Sequence, residues 1–251
     1  METQYDIIQV GEPKAPPRSL IRISGDRNLV ASLDAFGPSY FNSNVTDMQK
    51  QYSYPQTGEI ITFREPTTAE SIIVASCDFV NKAKSQILDP RWLQLGRIVR
   101  TSEGVFANVP KDSEGNPITD EQTLKSLLKA NKKVNGIYLL DNDFGYAPYE
   151  TFKQGVQDAG DFAERGLARV LEHSQLPKHL SGIASQKNYP RGVNVWGFDS
   201  VKTPTLKVAS LYSIRFSDFR QFNVDGSYWL DSDFGYAFGV LDSAEGTAKK
   251  I

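Results

Sequence analysis

The chain has 251 residues, with 28 Lys and Arg against 30 Asp and Glu and a formal net charge of −2. That balance argues against a strongly basic nucleic-acid binder but leaves room for a local basic patch. A single cysteine, Cys77, excludes an internal disulfide framework and a cysteine-based zinc site; the histidines His173 and His179 lack the spacing of a ligand pair on one helix face.

The N-terminus shows no basic segment leading into an apolar one, and no apolar run reaches membrane-spanning length. The expectation is a soluble protein made in the cytoplasm, without membrane insertion. Residues 1–18 read as an extended N-terminal arm stiffened by Pro13, Pro16 and Pro17. Within it, Tyr5 to Val10 suits an edge strand or a segment that reaches a neighbour. Leu20, Ile21 and Ile23 read as a strand turning at Gly25-Asp26, with Asn28 to Phe36 as the returning strand. Phe36 to Asn44 reads as a polar, aromatic loop, and Glu59 to Arg64 as a strand.

Thr67 and Glu70 form a capping box, followed by Ile73, Cys77, Val80 and Ile87 at helical spacing. This predicts a helix from about 67 to 88, stopped at Asp89-Pro90, with Cys77 in the core. Leu95 to Arg100 and Val105 to Val109 read as paired strands. A second capping box, Thr119 to Gln122, opens a helix to about Ala130. Ile137 to Leu140 reads as a buried strand. Tyr149 to His173 is helical in pattern but interrupted by Gly155, Gly160 and Gly166, which either break it or admit another backbone. After Gln175 strand patterns dominate, and Leu206 to Phe216 alternates as a half-buried strand with a wet face. The fold class is α+β: a mixed or antiparallel sheet flanked by about three helices, with a strand-rich C-terminal third. Residues 19–251 read as one domain, and 175–190 is the place for any subdomain boundary.

The most informative feature is internal. Residues 134–147 (VNGIYLLDNDFGYA) and 224–237 (VDGSYWLDSDFGYA) are identical at ten of fourteen positions. Asn135-Gly136 and Asp225-Gly226 are turn dipeptides that lead into a strand. If the strand continues, Asp141 and Asp143, and likewise Asp231 and Asp233, point to one side. These four aspartates are the candidate ligands for Mg²⁺ or Mn²⁺, which take oxygen donors. Tyr138, Phe144 and Tyr146, with Tyr228, Phe234 and Tyr236, are the candidate interaction residues.

The run Leu139 to Asp143 resembles the apolar-run-then-Asp-x-Asp element of sugar-nucleotide glycosyltransferases and the aspartate pair of haloacid-dehalogenase-type phosphatases. The phosphatase pattern has Thr or Val where this chain has Gly145 or Gly235, and the transferase needs a nucleotide-binding α/β half upstream. Asp-Phe-Gly occurs twice, but without a His-Arg-Asp segment or a Gly-rich loop, which excludes a protein kinase.

No catalytic residue is assigned. Reuse of a short aromatic turn suits a protein making two similar contacts with neighbours. The leading expectation is therefore a cofactor-free structural or assembly protein of a larger symmetric particle, such as a phage virion, with other protein subunits as homo- or hetero-oligomeric partners. The alternatives are a Mg- or Mn-dependent transferase or hydrolase using the Asp-x-Asp pairs, and a small-ligand binding module.

Overall fold

A computed structural model describes residues 4–10, 18–24, 27–32, 35–53, 60–80 and 92–241. The Pro-rich stretch 12–17, the Gly25-Asp26 turn, residues 81–88 with their Asp89-Pro90 stop, and Arg91 lie outside the described residues. In chain order the first half runs β1 (Gln4–Val10), β2 (Arg18–Ser24), β3 (Leu29–Ser32), β4 (Phe36–Ser39), α1 (Phe41–Met48), β5 (Tyr52–Ser53), β6 (Ile60–Ile61), β7 (Phe63–Arg64), α2 (Thr68–Val80), β8 (Leu93–Arg100), β9 (Gly104–Ala107) and α3 (Glu121–Leu128). The second half runs β10 (Tyr138–Leu139), β11 (Gly145–Pro148), β12 (Gly155–Gln157), α4 (Ala159–Ala163), α5 (Gly166–Glu172), α6 (Lys178–Ala184), β13 (Val193–Trp196), β14 (Thr205–Arg215), β15 (Arg220–Tyr228), β16 (Gly235–Ala237) and β17 (Val240–Leu241).

These strands build two main sheets. An antiparallel one has the order β1-β2-β3-β17-β7, so the arm strand Gln4–Val10 lies at its edge, paired with β2. The larger, mixed one follows β10-β11-β9-β8-β14-β15-β13-β12, with β16 beside β8 and β4 beside β16. Its parallel contacts are β13 with β15 and β16 with β8. The architecture is α+β and sheet-rich, as the pattern of elements predicts. Among the described residues no helix is long and apolar enough to cross a membrane.

The large sheet is covered on both faces. On one side Ile98, Ala209, Leu211, Phe222 and Val224 pack with Ile72 of α2, Phe162 of α4, Leu171 of α5 and Ile183 of α6. On the other, Val208, Tyr212 and Tyr228 join Phe36, Phe41, Met48, Tyr52 and Phe63. A third cluster seats Leu124 and Leu128 of α3 against Val99, Phe106, Phe144 and Tyr146. Each large apolar side chain so buried contributes about 1.5–3 kcal/mol of transfer free energy. Strand β14 is central, so it is buried from Lys207 to Ser213; this corrects the expectation of a wet face, because both faces have a layer to cover them.

The helices show where local signals sufficed. The Thr67 amide donates to Glu70 Oε2 at 2.8 Å and the Glu70 amide to Thr67 Oγ1 at 3.3 Å, the expected capping box, and Cys77 is buried. At α3 the cap falls one residue later than expected: the Asp120 carboxylate accepts from the Thr123 amide at 2.7 Å. The Tyr149 to His173 stretch is not one helix. It is a 3-10 turn, β12, α4 and α5. Gly155 adopts φ 90°, and a Cβ at Gly166 would collide with the Thr151 side chain, so one glycine breaks the helix and another admits a close neighbour. Helices α1 and α6 were not expected. Phe41, Val45 and Met48 nevertheless sit at helical spacing and are buried. Helix α6 is anchored from the end of the preceding helix: the Glu172 carboxylate accepts from the amides of His179 and Leu180 at 3.1 and 2.8 Å.

Candidate functional site

The two copies of the repeated sequence fold differently. In the first, Asn135 and Gly136 have φ 50° and 83°, and Val134 and Ile137 exchange backbone hydrogen bonds of 2.9 and 3.1 Å. This is the two-residue turn that Asn-Gly favours. Tyr138 and Leu139 then pair back onto Tyr146 and Gly145. Between them the Leu140 amide donates to the Phe144 carbonyl and the Asp143 amide to the Leu140 carbonyl, with Asp143 at φ 63°. The aspartates thus occupy a tight hairpin loop instead of a continuing strand, and they do not share a side.

Asp141 is exposed. Asp143 turns inward, where Arg27 Nη1 and Nη2 donate to its two carboxylate oxygens at 2.6 and 2.5 Å. His173 Nε2 lies 4.0 Å from the same carboxylate. Burial raises the Asp143 pKa, but the Arg27 guanidinium outweighs it and holds the carboxyl below its ordinary range. Burial lowers the His173 pKa against the pull of Asp143, which favours the neutral ring. Asn108 completes the tether: its Nδ2 donates to the Asp143 carbonyl at 3.0 Å and its Oδ1 accepts from the Thr68 amide at 2.8 Å. The loop is thereby fixed to the start of α2.

In the second copy, Val224 to Tyr228 runs inside β15. Val208 pairs with Tyr228 and Ser210 with Asp225, so β15 carries one extra residue between them, a β-bulge. Asp225-Gly226 makes no turn here; a Cβ on Gly226 would strike the Phe198 ring. After Tyr228 the chain turns, the Trp229 amide donating to Asp233 Oδ2 at 2.6 Å and Asn42 Nδ2 to Asp231 Oδ1 at 2.6 Å. It then leaves its own strand, and β16 pairs with β4 and touches β8.

Equivalent aromatics accordingly diverge. Phe144 is 1% exposed and stacked on Phe106 at 5.8 Å, whereas Phe234 is 53% exposed and leans on Tyr40 at 4.6 Å. Tyr236 is half-buried beside Leu93. Among the described residues no three His, Cys, Asp or Glu side chains gather to hold a metal ion. Asp141, Asp143, Asp231 and Asp233 therefore do not meet in one centre, and three of the four have protein partners.

The tyrosines mark two surfaces. Tyr138 and Tyr146 line an open groove of about 560 Å³ together with Tyr149, Lys125, Lys129 and Lys133. Lys125 is held by Glu103 and Glu121, each at 2.9 Å. Burial pushes the Tyr146 and Tyr149 hydroxyls up to about 12, so they remain protonated donors. Tyr228 belongs to the second surface. Its ring, Trp92 and Tyr212 have centroids 5.6 to 6.5 Å apart, and Trp196 Nε1 donates to the Tyr212 hydroxyl at 2.7 Å. Trp92 and Trp196 are 44% and 45% exposed.

On this face of the sheet Asp225 and Ser210 are cross-strand partners, both fully buried. Asp225 Oδ1 accepts from the Ser227 amide at 2.8 Å, while Asp225 Oδ2 and Ser210 Oγ have no hydrogen-bond partner among the described residues. Burial raises the Asp225 pKa, the carboxyl being favoured in its neutral form.

Sequence reasoning missed Arg27, His173, Trp196, Tyr212 and Asp225. Only the turn dipeptide flagged Asp225, and for a turn it does not make. Arg97 and Arg100 are engaged by protein groups: Arg97 with Glu65 and Asn42, and Arg100 with the Gly197 carbonyl. No family model, curated protein or solved structure matches the chain.

Proposed function

We propose that the chain is a structural or assembly protein, a component of a larger particle such as a virion, and that its aromatic sheet face seats a neighbouring protein subunit. The observation that carries this reading is the pairing of half-exposed Trp92 and Trp196 around Tyr212 and Tyr228. Tryptophan is enriched in the cores of protein interfaces, and two half-exposed indoles resting on buried tyrosines present apolar surface to solvent. Sedimentation of the full chain over a range of concentrations, alone and with proteins recovered from its native source, tests the reading. Association that is lost in Trp92→Ser and Trp196→Ser variants supports it. A monodisperse monomer at high concentration, with no recovered partner, rejects it.

A second reading, a small-ligand binding module, rests on the Tyr138/Tyr146 groove with its exposed Lys129 and Lys133. Tyrosine rings and ammonium groups together suit a planar, anionic ligand. Thermal shifts with nucleotides that vanish in Tyr138→Ala would support it; the absence of any shift at millimolar ligand would reject it. The Mg- or Mn-dependent reading finds no such support in the geometry.

A further inference from the structure

The tip of the β14–β15 hairpin concentrates positive charge and flat rings on a chain whose overall charge is close to neutral. The turn is tight: the Phe216 amide donates to the Phe219 carbonyl at 2.8 Å. The Phe216 and Phe219 rings stack 4.7 Å apart at an interplanar angle of 19°. The Arg191 guanidinium carbon sits 4.0 Å from the centre of the Phe219 ring. Phe216 is 45% exposed, so it offers a ring to solvent.

Beside these rings lies a cleft of about 350 Å³ lined by Lys187, Arg215, Phe216 and Arg220. Arg215 and Arg220 are direct cross-strand partners. Among the described residues of the cleft lining Asp218 is the one acid, its carboxylate accepting from the Ser217 hydroxyl, so cations outnumber it. Lys187 and Arg215 are exposed and form no ion pair among the described residues.

We infer that this tip is a binding site for single-stranded nucleic acid: a base stacks on Phe216 while Arg215 and Lys187 contact the neighbouring phosphates. The ring pair decides between anionic ligands. An acidic peptide or a polyphosphate would use the cations and have no need of an exposed flat ring, whereas stacking a base on an aromatic beside a cationic groove is how sequence-tolerant strand binding works.

The test is fluorescence anisotropy of the full chain with fluorescein-labelled twelve-nucleotide oligo(dT) and oligo(rU), titrated from 50 to 300 mM NaCl. Saturable binding is expected, weakening with salt at a log–log slope of about −1.4 to −2, as for two or three phosphates. Phe216→Ala should weaken it by about ten-fold or more, while Phe216→Tyr keeps it. Arg215→Ala should flatten the slope. These residues are exposed, and equal thermal melts will show that the variants fold. No saturable binding at 50 mM NaCl overturns the proposal. So does equal affinity for inorganic polyphosphate with no effect of Phe216→Ala, which would make the tip a purely electrostatic anion site. Saturable binding of an acidic peptide in preference to both oligonucleotides overturns it in favour of a protein contact.

Discussion

Arg27 and Asp143 form a two-pronged ion pair, 2.6 and 2.5 Å, across 116 residues of chain. Their side chains are 28% and 15% exposed, so solvent screens the pair only in part. It locks the first repeat's loop, at a residue in the αL conformation, to the segment between β2 and β3. Removing the guanidinium takes the main partner from a mostly buried carboxylate and leaves only His173 and Thr67 beside it. Arg27→Ala should therefore cost about 1–3 kcal/mol at pH 7 by urea unfolding. The pH dependence has a definite sign. The native Asp143 pKa is depressed, so its contribution is complete above the ordinary carboxylate range and lost as the pH falls through the native value. In the variant, burial is opposed only by His173 and the Thr67 hydroxyl, and the native pKa rises. The penalty should shrink steadily as unfolding is measured from pH 7 down to pH 3.

Matched glycines in the repeat should fail for different reasons. Gly136 has φ 83°, so Gly136→Ala strains the backbone, at a cost of about 1–2 kcal/mol. Gly226 lacks that constraint, but its Cβ would lie 2.5 Å from the Phe198 ring, so Gly226→Ala overpacks the core by about 1–3 kcal/mol. Adding Phe198→Leu should recover part of the second loss and none of the first. A double-mutant cycle in urea checks this, and equal rescue of both would show that the copies are structurally equivalent after all.

This divergence explains what the sequence disclosed and what it hid. Thr67 and Glu70 declare α2 because a capping box is satisfied by residues three apart. Asn135-Gly136 declares its turn for the same reason: the strain and the hydrogen bonds are local. Asp225-Gly226 is as good a turn signal, yet it lies in β15, where pairing with β13 and β14 on either side wins. The partner of Asp143 lies 116 residues away, so no window of sequence contains it, and the glutamate that receives the first amides of α6 lies eight residues before Leu180, at the end of α5, where no capping spacing marks it. The aromatic face is hidden likewise: Trp92, Trp196, Tyr212 and Tyr228 come from different parts of the chain and meet only through sheet register.

Lys207 predicts an alkaline effect. It is 4% exposed, with Nζ 2.9 Å from the centre of the Trp229 ring. Burial, with help from the Arg100 charge, pushes its pKa down to about 8 from an ordinary 10.5. Between those values the unfolded chain holds a proton that the native state has released, so Lys207 makes stability rise with pH. Above pH 10 the trend reverses, because burial keeps the Tyr212 hydroxyl protonated to about 12 in the native state while the unfolded phenol ionises. Lys207→Met should abolish the rise between pH 8 and 10 in urea unfolding. Tryptophan fluorescence should titrate near pH 8 in the parent and lose that step in the variant.

Asp225 should behave in the opposite sense. Its carboxyl is fully buried, with Oδ2 and the cross-strand Ser210 Oγ both unpartnered among the described residues, and its native pKa is raised by burial. The native state thus keeps a proton that the unfolded chain gives up near pH 4. Stability from this group is full below the ordinary carboxylate range and lost as the pH rises through the native value. Asp225→Asn retains an oxygen to accept from the Ser227 amide and carries no charge to bury. It should therefore be more stable than the parent at pH 7, by about 1–2 kcal/mol, and equal to it near pH 4. Urea midpoints at the two pH values decide the matter: a variant less stable at pH 7 would mean that Asp225 is ionised in the native protein and held by a group that compensates its charge.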